Sequence, residues 1–454
     1  MTYPATNFTS NPPRLRVLIV GAGLSGLCIA NSLLRDPAQR FDVSVFERDT
    51  VAFDSERGGY QIRLGQDGIT GLKTCLSPET YLELSQAWGQ ELSRAPAIFQ
   101  PTDGTILAKL AELKLYPQSR AVPRTALKEY LVRLPMERGA LHFGRRVDSL
   151  VYQDNGDVSE VVLKFEDGSK IVIAADGSRS KASSLNRLAG LNNVKLLAGT
   201  AVCQGRGKID ASTRAKLPKI LLDNGSLLYL SGETTGFCAV YELKDARGNP
   251  TEDSFLFWGH NGPEKIADLF AGTDDDDDTK AGRMAEHMVR DLGFDPQILP
   301  EVVRIGNRNL KAGQLSSSTT PHDWREGVAQ RGRLIFIGDS IHAMTPSRGQ
   351  GANQAMRDAA ELSNLLLGNS IDAESPRTRL TDKDALALAK KFDEEMYPRA
   401  FGWVKASETA GNVDTTTWSG YLKMSLFLNA VRLGGLAVTL RDSLGLGTSK
   451  TLTF

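Results

Sequence analysis

The sequence has no surplus of either charge and few cysteines. Its 454 residues include 54 basic and 54 acidic side chains, so the composition does not favour nucleic acid or an anionic surface as the main partner. The four cysteines, Cys28, Cys75, Cys203 and Cys238, lack the spacing of metal ligands. We therefore expect reduced thiols, no disulfide and a cytoplasmic location.

Long hydrophobic runs are also missing. No stretch of about 18 uncharged apolar residues occurs, which argues against a membrane-spanning helix. Residues 1–13 contain three prolines and no apolar segment of signal-peptide length. They are expected to form a flexible N-terminus.

The sequence has no recognisable catalytic triad or metal site. Its five histidines are scattered, without a Ser-His-Asp or metal-ligand pattern. The five consecutive aspartates of residues 274–278 lack the alternating ligands of an EF-hand, and their mutual repulsion favours an exposed surface loop. Chemistry supplied by a bound cofactor would fit this lack of reactive side chains.

What the sequence does contain is a glycine-bearing turn at residues 338–353. The apolar run 334–337 predicts a buried parallel strand ending at Gly338 and Asp339, and apolar residues at helical spacing begin at Ala355. A strand, a turn containing Gly349 and Gly351, and a helix N-terminus together form an anion-binding arrangement. An ordinary strand-to-helix turn would need one glycine, so we interpret this turn as a cofactor site.

A second glycine-rich turn follows the apolar strand at residues 15–20. Gly21 would make the tight turn, Gly23 would let a pyrophosphate approach, and Gly26 would allow the helix to pack closely. The next strand ends at Glu47, about 20 residues later, where an acid can bind the adenosine ribose. This pattern predicts dinucleotide binding but does not by itself distinguish NAD from FAD.

The order Gly-Asp, His, Pro, Gly-Gln-Gly, Asn within residues 338–353 resembles the second FAD fingerprint of the aromatic-hydroxylase class (class A) of flavin monooxygenases, which includes para-hydroxybenzoate hydroxylase. The resemblance implies FAD as the resident cofactor, with Asp339 bonding its ribityl chain. Arg48, beside Glu47, would join the nucleotide site. The residues that would line the flavin are Asp339, Pro346, Gly349, Gly351, Ala352 and Asn353.

Two further segments are assigned through this resemblance. In the family, a glycine-containing segment at the place of residues 57–65 passes beside the flavin ring. Arg57 and Gly59 would then bind the cofactor and Arg63 would touch flavin or substrate, although the alternation alone also allows a solvent-facing strand. Arg124, in the first turn of a predicted helix, resembles an arginine that contacts the FAD phosphate or ribityl region; a solvated arginine is the alternative.

Asp176 and Gly177 resemble the family's Asp-Gly motif, which serves both FAD and NAD(P)H. The sequence departs from the family pattern because Ser183 stands where an arginine is usual. Arg179 or Lys181 could supply that charge.

From residue 199 to about 262 the composition changes to strand, turn and aromatic residues, which predicts an inserted antiparallel sheet. In the family such a sheet covers the substrate cavity above the flavin. Gln204 and Arg206 share one face of its first strand, and they would bind substrate if that face lines the cavity or be solvated if it points outward. Gln204 resembles in position a substrate-contacting glutamine of tetracycline-inactivating monooxygenases.

The expected fold class is α/β (α+β), with a Rossmann-type FAD-binding domain, an inserted, largely antiparallel β-sheet substrate domain and C-terminal helices. The expected FAD-binding domain is discontinuous, at 14–198 and 300–370, with the substrate domain at 199–299 and the helical region at 371–454. Within that region, residues 421–441 predict an apolar helix that docks on the core, binds a partner or touches a membrane surface.

The resemblance covers most of residues 14–400. It implies an enzyme in which NADPH or NADH reduces FAD, and O2 then forms a flavin C4a-hydroperoxide that hydroxylates, epoxidises or rearranges a hydrophobic, electron-rich cyclic substrate. Arg206, Gln204 and Arg63 are its candidate catalytic residues.

The details lean toward fungal monooxygenases that act on polyketides or indole alkaloids in secondary metabolism. The lack of a Trp-x-Trp-x-Ile-Pro segment disfavours halogenase chemistry. An oxidase or reductase of the same fold and a non-catalytic FAD-binding regulator remain alternatives, and we expect a monomer.

Overall fold

The computed structural model describes the chain apart from residues 1–13, 52–60, 88–95, 111–119, 148, 155–158, 165–168, 171, 178–184, 242–253, 272–274, 327–328, 369–380, 410–417, 421, 424, 427–428 and 430–454. The strands are β1 Leu15–Val20, β2 Phe41–Phe46, β3 Gln61–Leu64, β4 Ala97–Phe99, β5 Ile106–Lys109, β6 Arg120–Pro123, β7 Leu141–His142, β8 Ser149–Asp154, β9 Ser159–Lys164, β10 Ser169–Lys170, β11 Val172–Ala174, β12 Val194–Lys208, β13 Ser226–Ser231, β14 Thr234–Tyr241, β15 Phe255–Pro263, β16 Arg308–Ser318 and β17 Leu334–Phe336. The helices are α1 Leu24–Leu34, α2 Gln66–Cys75, α3 Pro78–Ala87, α4 Arg124–Glu137, α5 Leu185–Leu188, α6 Ala211–Lys216, α7 Lys219–Asn224, α8 Asp277–Arg290, α9 Leu299–Ile305, α10 Asp339–His342, α11 Gly351–Gly368 and α12 Asp382–Thr409.

A five-stranded parallel sheet forms the first half of the fold. Its order is β17-β11-β1-β2-β7, and every neighbouring pair is parallel. Strands β1, β11 and β17 are largely buried, whereas β2 alternates buried residues with an exposed Asp42 and a half-buried Ser44. Val20, Ala174 and Phe336 are in register, so β1, β11 and β17 end at one edge. The turns that follow these three strands therefore lie side by side.

A seven-stranded sheet forms the second half, in the order β16-β12-β15-β14-β13-β4-β5. All its neighbouring pairs are antiparallel except β13 and β4. One face is buried against α8 and α9, with Tyr229 and Trp258 among the largest fully buried side chains. Because side chains alternate along a strand, the remaining residues of each strand form a second face on the opposite side of the sheet.

The second sheet is larger than the range 199–299 that the sequence suggested. Strands β4 and β5 join it from before that range, and β16 joins it from after. Composition changes mark a contiguous insertion, but they do not reveal which distant strands bond to it. Strand β16 follows directly on α9, which ends at Ile305.

The aspartate run at 274–278 is also not simply a loop, because α8 begins within it. The Oδ1 atom of Asp276 accepts a hydrogen bond from the Thr279 N–H at 2.7 Å, and Asp277 and Asp278 occupy the first helical turn. Acids are favoured there by the exposed N–H groups and the helix dipole. The run thus starts a helix that packs on the second sheet.

The C-terminal part begins with α12, which lies within the helical region expected at 371–454. Residues 418–420, 422–423, 425–426 and 429 are also helical, whereas the rest of the predicted apolar helix at 421–441 lies outside the described residues. Among the described helices, none is long and apolar enough to cross a membrane.

Candidate active site

The turn after β1 is built by its three glycines. Gly21 has a φ of 105°, in the left-handed region, and a Cβ atom there would lie 2.3 Å from the carbonyl oxygen of Ala175. A Cβ at Gly26 would lie 2.1 Å from the Gly21 carbonyl oxygen, so this glycine lets α1 pack against the turn. At Gly23 the nearest such atom is 3.8 Å away. The space over Gly23 therefore suits a bulky anion at the N-terminus of α1.

Glu47 closes the same turn from the end of β2. Its Oε2 atom accepts a hydrogen bond from the Ala22 N–H at 2.8 Å, and its Oε1 atom accepts one from the Asp49 N–H at 3.1 Å. These bonds fix the carboxylate, which keeps further lone pairs for the hydroxyls of a ribose. Arg48 is exposed beside it, with Nε 3.9 Å from a carboxylate oxygen of Asp49.

Asp176, which follows β11, has one bonded and one unbonded carboxylate oxygen. Its Oδ2 atom accepts from the Leu185 N–H at 2.9 Å, whereas Oδ1 is buried without a hydrogen bond from any described residue. Burial raises the pKa of Asp176 to about 6, against the opposing effect of the Leu185 N–H. Gly177 has a φ of 76° and open space where a Cβ would lie. Arg179, Lys181 and Ser183 lie outside the described residues.

The turn after β17 places one exposed acid in a buried segment. Gly338 has a φ of 63° and donates its N–H to Oδ2 of Asp358 at 2.8 Å. The Ser340 hydroxyl donates to the Ala174 carbonyl at 2.8 Å, which holds α10 on the end of β11. Residues 340–342 are buried, but Asp339 is exposed. Its carboxylate is thus directed to the edge where the three strands end.

The chain from Pro346 to Ala352 forms the rim of this edge. Pro346 starts a short 3-10 turn and is exposed, and Gly349 ends that turn in the left-handed conformation with a φ of 63°. Gly351 and Ala352 are half-exposed at the start of α11. The first N–H groups of a helix have no partner within it, so α11 presents donors beside Asp339.

The side chain of Asn353 forms hydrogen bonds with backbone groups and does not face open space. Its Nδ2 atom donates to the Arg63 carbonyl at 2.8 Å and to the Gly349 carbonyl at 3.0 Å, and its Oδ1 atom accepts from the Gly65 N–H at 2.8 Å. The side chain is buried. Asn353 therefore ties β3 to the rim, and the prediction that it lines the flavin can apply only to its backbone.

Strand β3 has the expected alternation. Ile62 and Leu64 are buried, and Arg63 is half-buried on the other face. Burial raises the pKa of the Tyr241 hydroxyl, and the Arg63 guanidinium partly offsets that effect, so these two residues are close enough to interact. Arg57 and Gly59 lie outside the described residues.

Arg124 is the first residue of α4, directly after β6, which pairs with β3. Lys128 follows one helical turn later and therefore lies on the same face of α4. Burial lowers the pKa of Lys128, while the Glu47 carboxylate opposes that shift and Arg124 adds to it. Lys128 is thus close enough to both Glu47 and Arg124 for their charges to interact.

Gln204 and Arg206 lie on the face of the second sheet that α8 and α9 do not cover. Arg206 pairs with Phe257, which pairs in turn with Ala239, so these three side chains share a face. The Arg206 guanidinium carbon lies 5.0 Å from the centre of the Phe255 ring, and burial lowers the pKa of Arg206. Other half-exposed apolar residues of this face are Val202, Leu228, Leu230, Phe237 and Phe257.

Tyr241 lies on the same face as Arg206 and interacts with Arg63. The face presents half-exposed aromatic and aliphatic side chains, and its Tyr241 is close enough to Arg63 of β3 for their charges to interact. In the described part of the chain, no group of three or more His, Cys, Asp or Glu side chains could hold a metal ion.

Comparison with known proteins agrees with this geometry. Residues 312–381 match the FAD binding domain family, and residues 19–74 match the NAD(P)-binding Rossmann-like domain family. The dual O-methyltransferase/FAD-dependent monooxygenase elcB of Phaeosphaeria nodorum is 24% identical over 447 residues, which cover 87% of this chain and 45% of that protein. The FAD-dependent monooxygenase thnD of Trichoderma harzianum is 24% identical over 418 residues, or 87% of this chain and 94% of that protein. The chain is thus similar to FAD-dependent monooxygenases.

The fold of this chain is shared with solved structures. The crystal structure of tetracycline destructase Tet(51) is 16% identical, has a TM-score of 0.57, and is matched over 94% of this chain and 98% of that chain. The resemblance to class A flavin monooxygenases and the expected Rossmann-type fold class are thereby confirmed. The chain spans about half the length of elcB, so that protein's full activity does not transfer with the match.

The residues at the edge of the parallel sheet fit an FAD molecule. A pyrophosphate would find open space over Gly23, a ribose would find the fixed Glu47 carboxylate, and the buried Asp176 Oδ1 has no donor among the described residues. Asp339 and the start of α11 would offer acceptors and donors at the other end. The match of residues 312–381 to an FAD binding domain supports the same cofactor.

Three features of the site were not predicted from the sequence. Lys128 could have been found from its i, i+4 spacing to Arg124. The close packing of α2 on α11 could have been found from Gly68-x-x-Gly71, because a Cβ at Gly71 would lie 2.5 Å from the Met356 carbonyl oxygen. The contacts of Arg399 with α11 had no sequence signal.

Proposed function

We propose that this protein is an FAD-dependent monooxygenase that uses NADPH or NADH and O2 to oxidise an electron-rich cyclic substrate. The observation that carries the proposal is the register of Val20, Ala174 and Phe336, which brings the turns at Gly21, Asp176 and Gly338 to one edge. An FAD molecule could bridge these turns, and the aromatic face of the second sheet would cover its reactive end. FAD, when bound, would accept hydride and activate O2.

The protein's own residues would bind and orient FAD. Glu47 would hold the ribose, the Gly23 turn would hold the pyrophosphate, and Asp339 would accept hydrogen bonds from the ribityl chain. The remaining candidate cofactor-binding residues are Gly21, Gly26, Arg48, Arg57, Gly59, Arg124, Asp176, Gly177, Pro346, Gly349, Gly351, Ala352 and Asn353. The support for these assignments is their common location at one sheet edge or their resemblance to family motifs.

Arg206, Gln204 and Arg63 are proposed to bind and orient the substrate. The side chains of Arg206 and Gln204, which lie in β12, form no hydrogen bond or ion pair with a described residue. A guanidinium held against Phe255 can bind a phenolate, enolate or carbonyl oxygen and stabilise charge as oxygen transfers. The apolar side chains of the same face would exclude water from the reaction.

The proposed substrate is a hydrophobic cyclic compound, such as a polyketide or an indole alkaloid of secondary metabolism. The support is the aromatic face of the second sheet, the fungal homologues elcB and thnD, and the structural likeness to a tetracycline destructase. Hydroxylation, epoxidation and oxidative rearrangement would all require the same placement of the substrate against FAD.

The test uses purified protein, NADPH or NADH, and a panel of polycyclic phenols and indoles. We expect a yellow protein with one FAD per chain and a substrate that accelerates NAD(P)H oxidation and gains one oxygen atom from labelled O2. Oxidation of NAD(P)H with hydrogen peroxide as the sole product for every substrate would favour an oxidase or reductase. FAD binding without any NAD(P)H oxidation would favour a regulator.

We also propose that the protein is a cytoplasmic monomer. The four cysteines are buried free thiols, which supports a reducing compartment. Sedimentation of the FAD-loaded protein would test the oligomeric state, and fractionation of the source cells would test the location. The helical residues Trp418, Leu422 and Leu426 are exposed, so binding to lipid vesicles should be measured in the same preparation.

A further inference from the structure

The C-terminal helix α12 places the half-buried side chain of Arg399 against α11. Its NH2 donates to Oδ1 of Asp358 at 2.8 Å, and its NH1 donates to Oε1 of Gln354 at 2.6 Å. Its Nε donates to Oε1 of Glu395 at 2.8 Å. Asp358 and Gln354 are fully buried on successive turns of α11. One guanidinium of α12 therefore fixes the face of α11 that points away from solvent.

The other oxygen of Asp358 holds the turn after β17. Its Oδ2 atom accepts from the Gly338 N–H at 2.8 Å and lies 2.5 Å from Nε2 of His342. Gly338 precedes α10 and His342 ends it. A single carboxylate thus binds both ends of the four-residue helix that starts with Asp339.

The same guanidinium reaches the segment after β3 through Gln354. The Nε2 atom of Gln354 donates to Oδ2 of Asp67 at 2.9 Å, and Asp67 is in the first turn of α2. The neighbouring Asn353 bonds the backbone of Arg63 and Gly65. Arg399 is therefore connected by hydrogen bonds to both segments that form the proposed flavin end of the site.

The network contains the charged groups Arg399, Asp358 and His342. The pKa of Asp358 and the pKa of His342 each depend on the other charged groups. Burial favours neutral Asp358, but His342 and Arg399 outweigh burial and hold the pKa of Asp358 below its usual value. Burial favours neutral His342, but Asp358, with Asp339 adding to it, outweighs burial and Arg399 and raises the pKa of His342. In a buried network of this kind, removal of one partner leaves an uncompensated charge.

We propose that Arg399 and Asp358 are positioning residues for FAD, through which α12 sets both the geometry of the Gly338–Asp339 turn and the electrostatic potential beside the flavin. This inference rests on the proposed FAD site. Arg399 acts through Asp358, and Asp358 acts through Gly338 and His342. The helix that follows the two nucleotide motifs in sequence is accordingly part of the flavin site.

The test compares FAD binding and the flavin midpoint potential among variants. Reduction adds negative charge to the flavin, so a lost positive charge lowers the potential and a lost negative charge raises it. Arg399→Met should weaken FAD binding at least about tenfold and lower the potential. Asp358→Asn should also weaken binding but should not lower the potential, because it removes a negative charge even if His342 then loses the proton that Asp358 stabilises. A tenfold change in the ratio of affinities for oxidised and reduced FAD corresponds to about 30 mV for the two-electron couple.

Two further variants separate positioning from simple loss of stability. Asp382→Asn is the matched control, because Asp382 is another α12 residue paired with a buried arginine, Arg333, at 2.6 Å. It should lower the melting temperature and leave both FAD affinity and potential unchanged. Arg399→Lys keeps the charge and should keep most of the wild-type potential, so a potential as low as that expected for Arg399→Met would contradict the charge effect.

The outcomes distinguish this inference from the proposed function. Wild-type protein that does not bind FAD would overturn the proposed function. Wild-type protein that binds FAD, with Arg399→Lys, Arg399→Met and Asp358→Asn all showing the wild-type potential, would overturn the positioning role. Shifts of the same sign in Arg399→Met and Asp358→Asn would overturn the electrostatic part.

Discussion

At the scale of single residues, Asp339 is the most direct link between the chain and FAD. It is exposed although residues 340–342 are buried. Loss of a charged acceptor costs about 1.5–3 kcal/mol, so Asp339→Ala should weaken FAD binding on the order of tenfold to a hundredfold. Fluorescence titration with FAD would measure this, with Asp223→Ala, which removes an exposed acid of α7, as the control. Full FAD occupancy in purified Asp339→Ala would contradict the assignment.

Asp176 should give the protein without FAD a distinct pH dependence. Its pKa is about 6 in the folded chain and about 3.9 in an unfolded one. Because the folded pKa is raised, the folded state gains stability from bound protons below about pH 4 and loses it as the pH rises to about 6. Asp176→Asn removes this titration, so its stability relative to wild type should increase by up to ~3 kcal/mol across that interval. Denaturant unfolding at several pH values is the measurement, and a constant difference would refute the burial of this carboxylate.

The local conformation of the turn after β1 could be predicted from the sequence, because Gly21 has a φ of 105° and a Cβ at Gly26 would lie 2.1 Å from the Gly21 carbonyl oxygen. The ligand-binding roles of Gly21, Gly23, Gly26 and Glu47 stay predictions. Asn353 is different, because its amide is bonded to Arg63 and Gly65, which are 290 and 288 residues away in sequence. No local spacing shows such a contact, and the motif alone suggested a residue that faces the ligand.

At the scale of elements, the packing of α2 on α11 holds β3 beside the rim. A Cβ at Gly71 would lie 2.5 Å from the Met356 carbonyl oxygen, and backbone cannot move aside as a flexible side chain can. Gly71→Ala should therefore destabilise the protein by about 1–3 kcal/mol and weaken FAD binding. Thermal unfolding and FAD titration would measure the two effects.

A matched control is available on α8. Gly282 is also helical, but no atom lies within 4 Å of where its Cβ would be. Gly282→Ala should be neutral or stabilising by up to ~1 kcal/mol. Equal effects of the two substitutions would mean that α2 does not pack closely on α11.

Strand β12 is the element that would carry substrate recognition. Arg206→Ala should keep the flavin spectrum and FAD content, because Arg206 belongs to no nucleotide motif. A lost charge-assisted bond of about 1.5–3 kcal/mol should slow turnover on the order of tenfold to a hundredfold. The freed reducing equivalents should appear as hydrogen peroxide.

Coupled assays of NAD(P)H, product and peroxide test this prediction, with Lys208→Ala as the control. Lys208 lies two residues further on the same face but is exposed at the end of the strand. Unchanged turnover and coupling in Arg206→Ala would show that the Arg206 face does not line the substrate cavity.

At the scale of the whole molecule, the sequence predicted the parallel sheet better than the antiparallel one. Apolar runs followed by glycine turns predicted β1 and β17, and the structure places both in one sheet. The antiparallel sheet takes β4 and β5 from early in the chain and β16 from late in it, so its extent depends on pairings that no contiguous segment contains. The role of α12 was missed for the same reason, because Arg399 contacts α11 across an intervening segment.

The whole molecule is proposed to bring two nucleotide-binding turns and a shielding sheet together around FAD, so that O2 can be activated for transfer to a substrate. Stopped-flow absorbance after the fully reduced, FAD-loaded protein is mixed with O2 tests this claim most directly. We expect a transient species with a spectrum distinct from both reduced and oxidised flavin. The Arg206→Ala variant should still form this species. Return to oxidised flavin in one step, without any transient and with release of stoichiometric hydrogen peroxide, would contradict the claim and favour an oxidase.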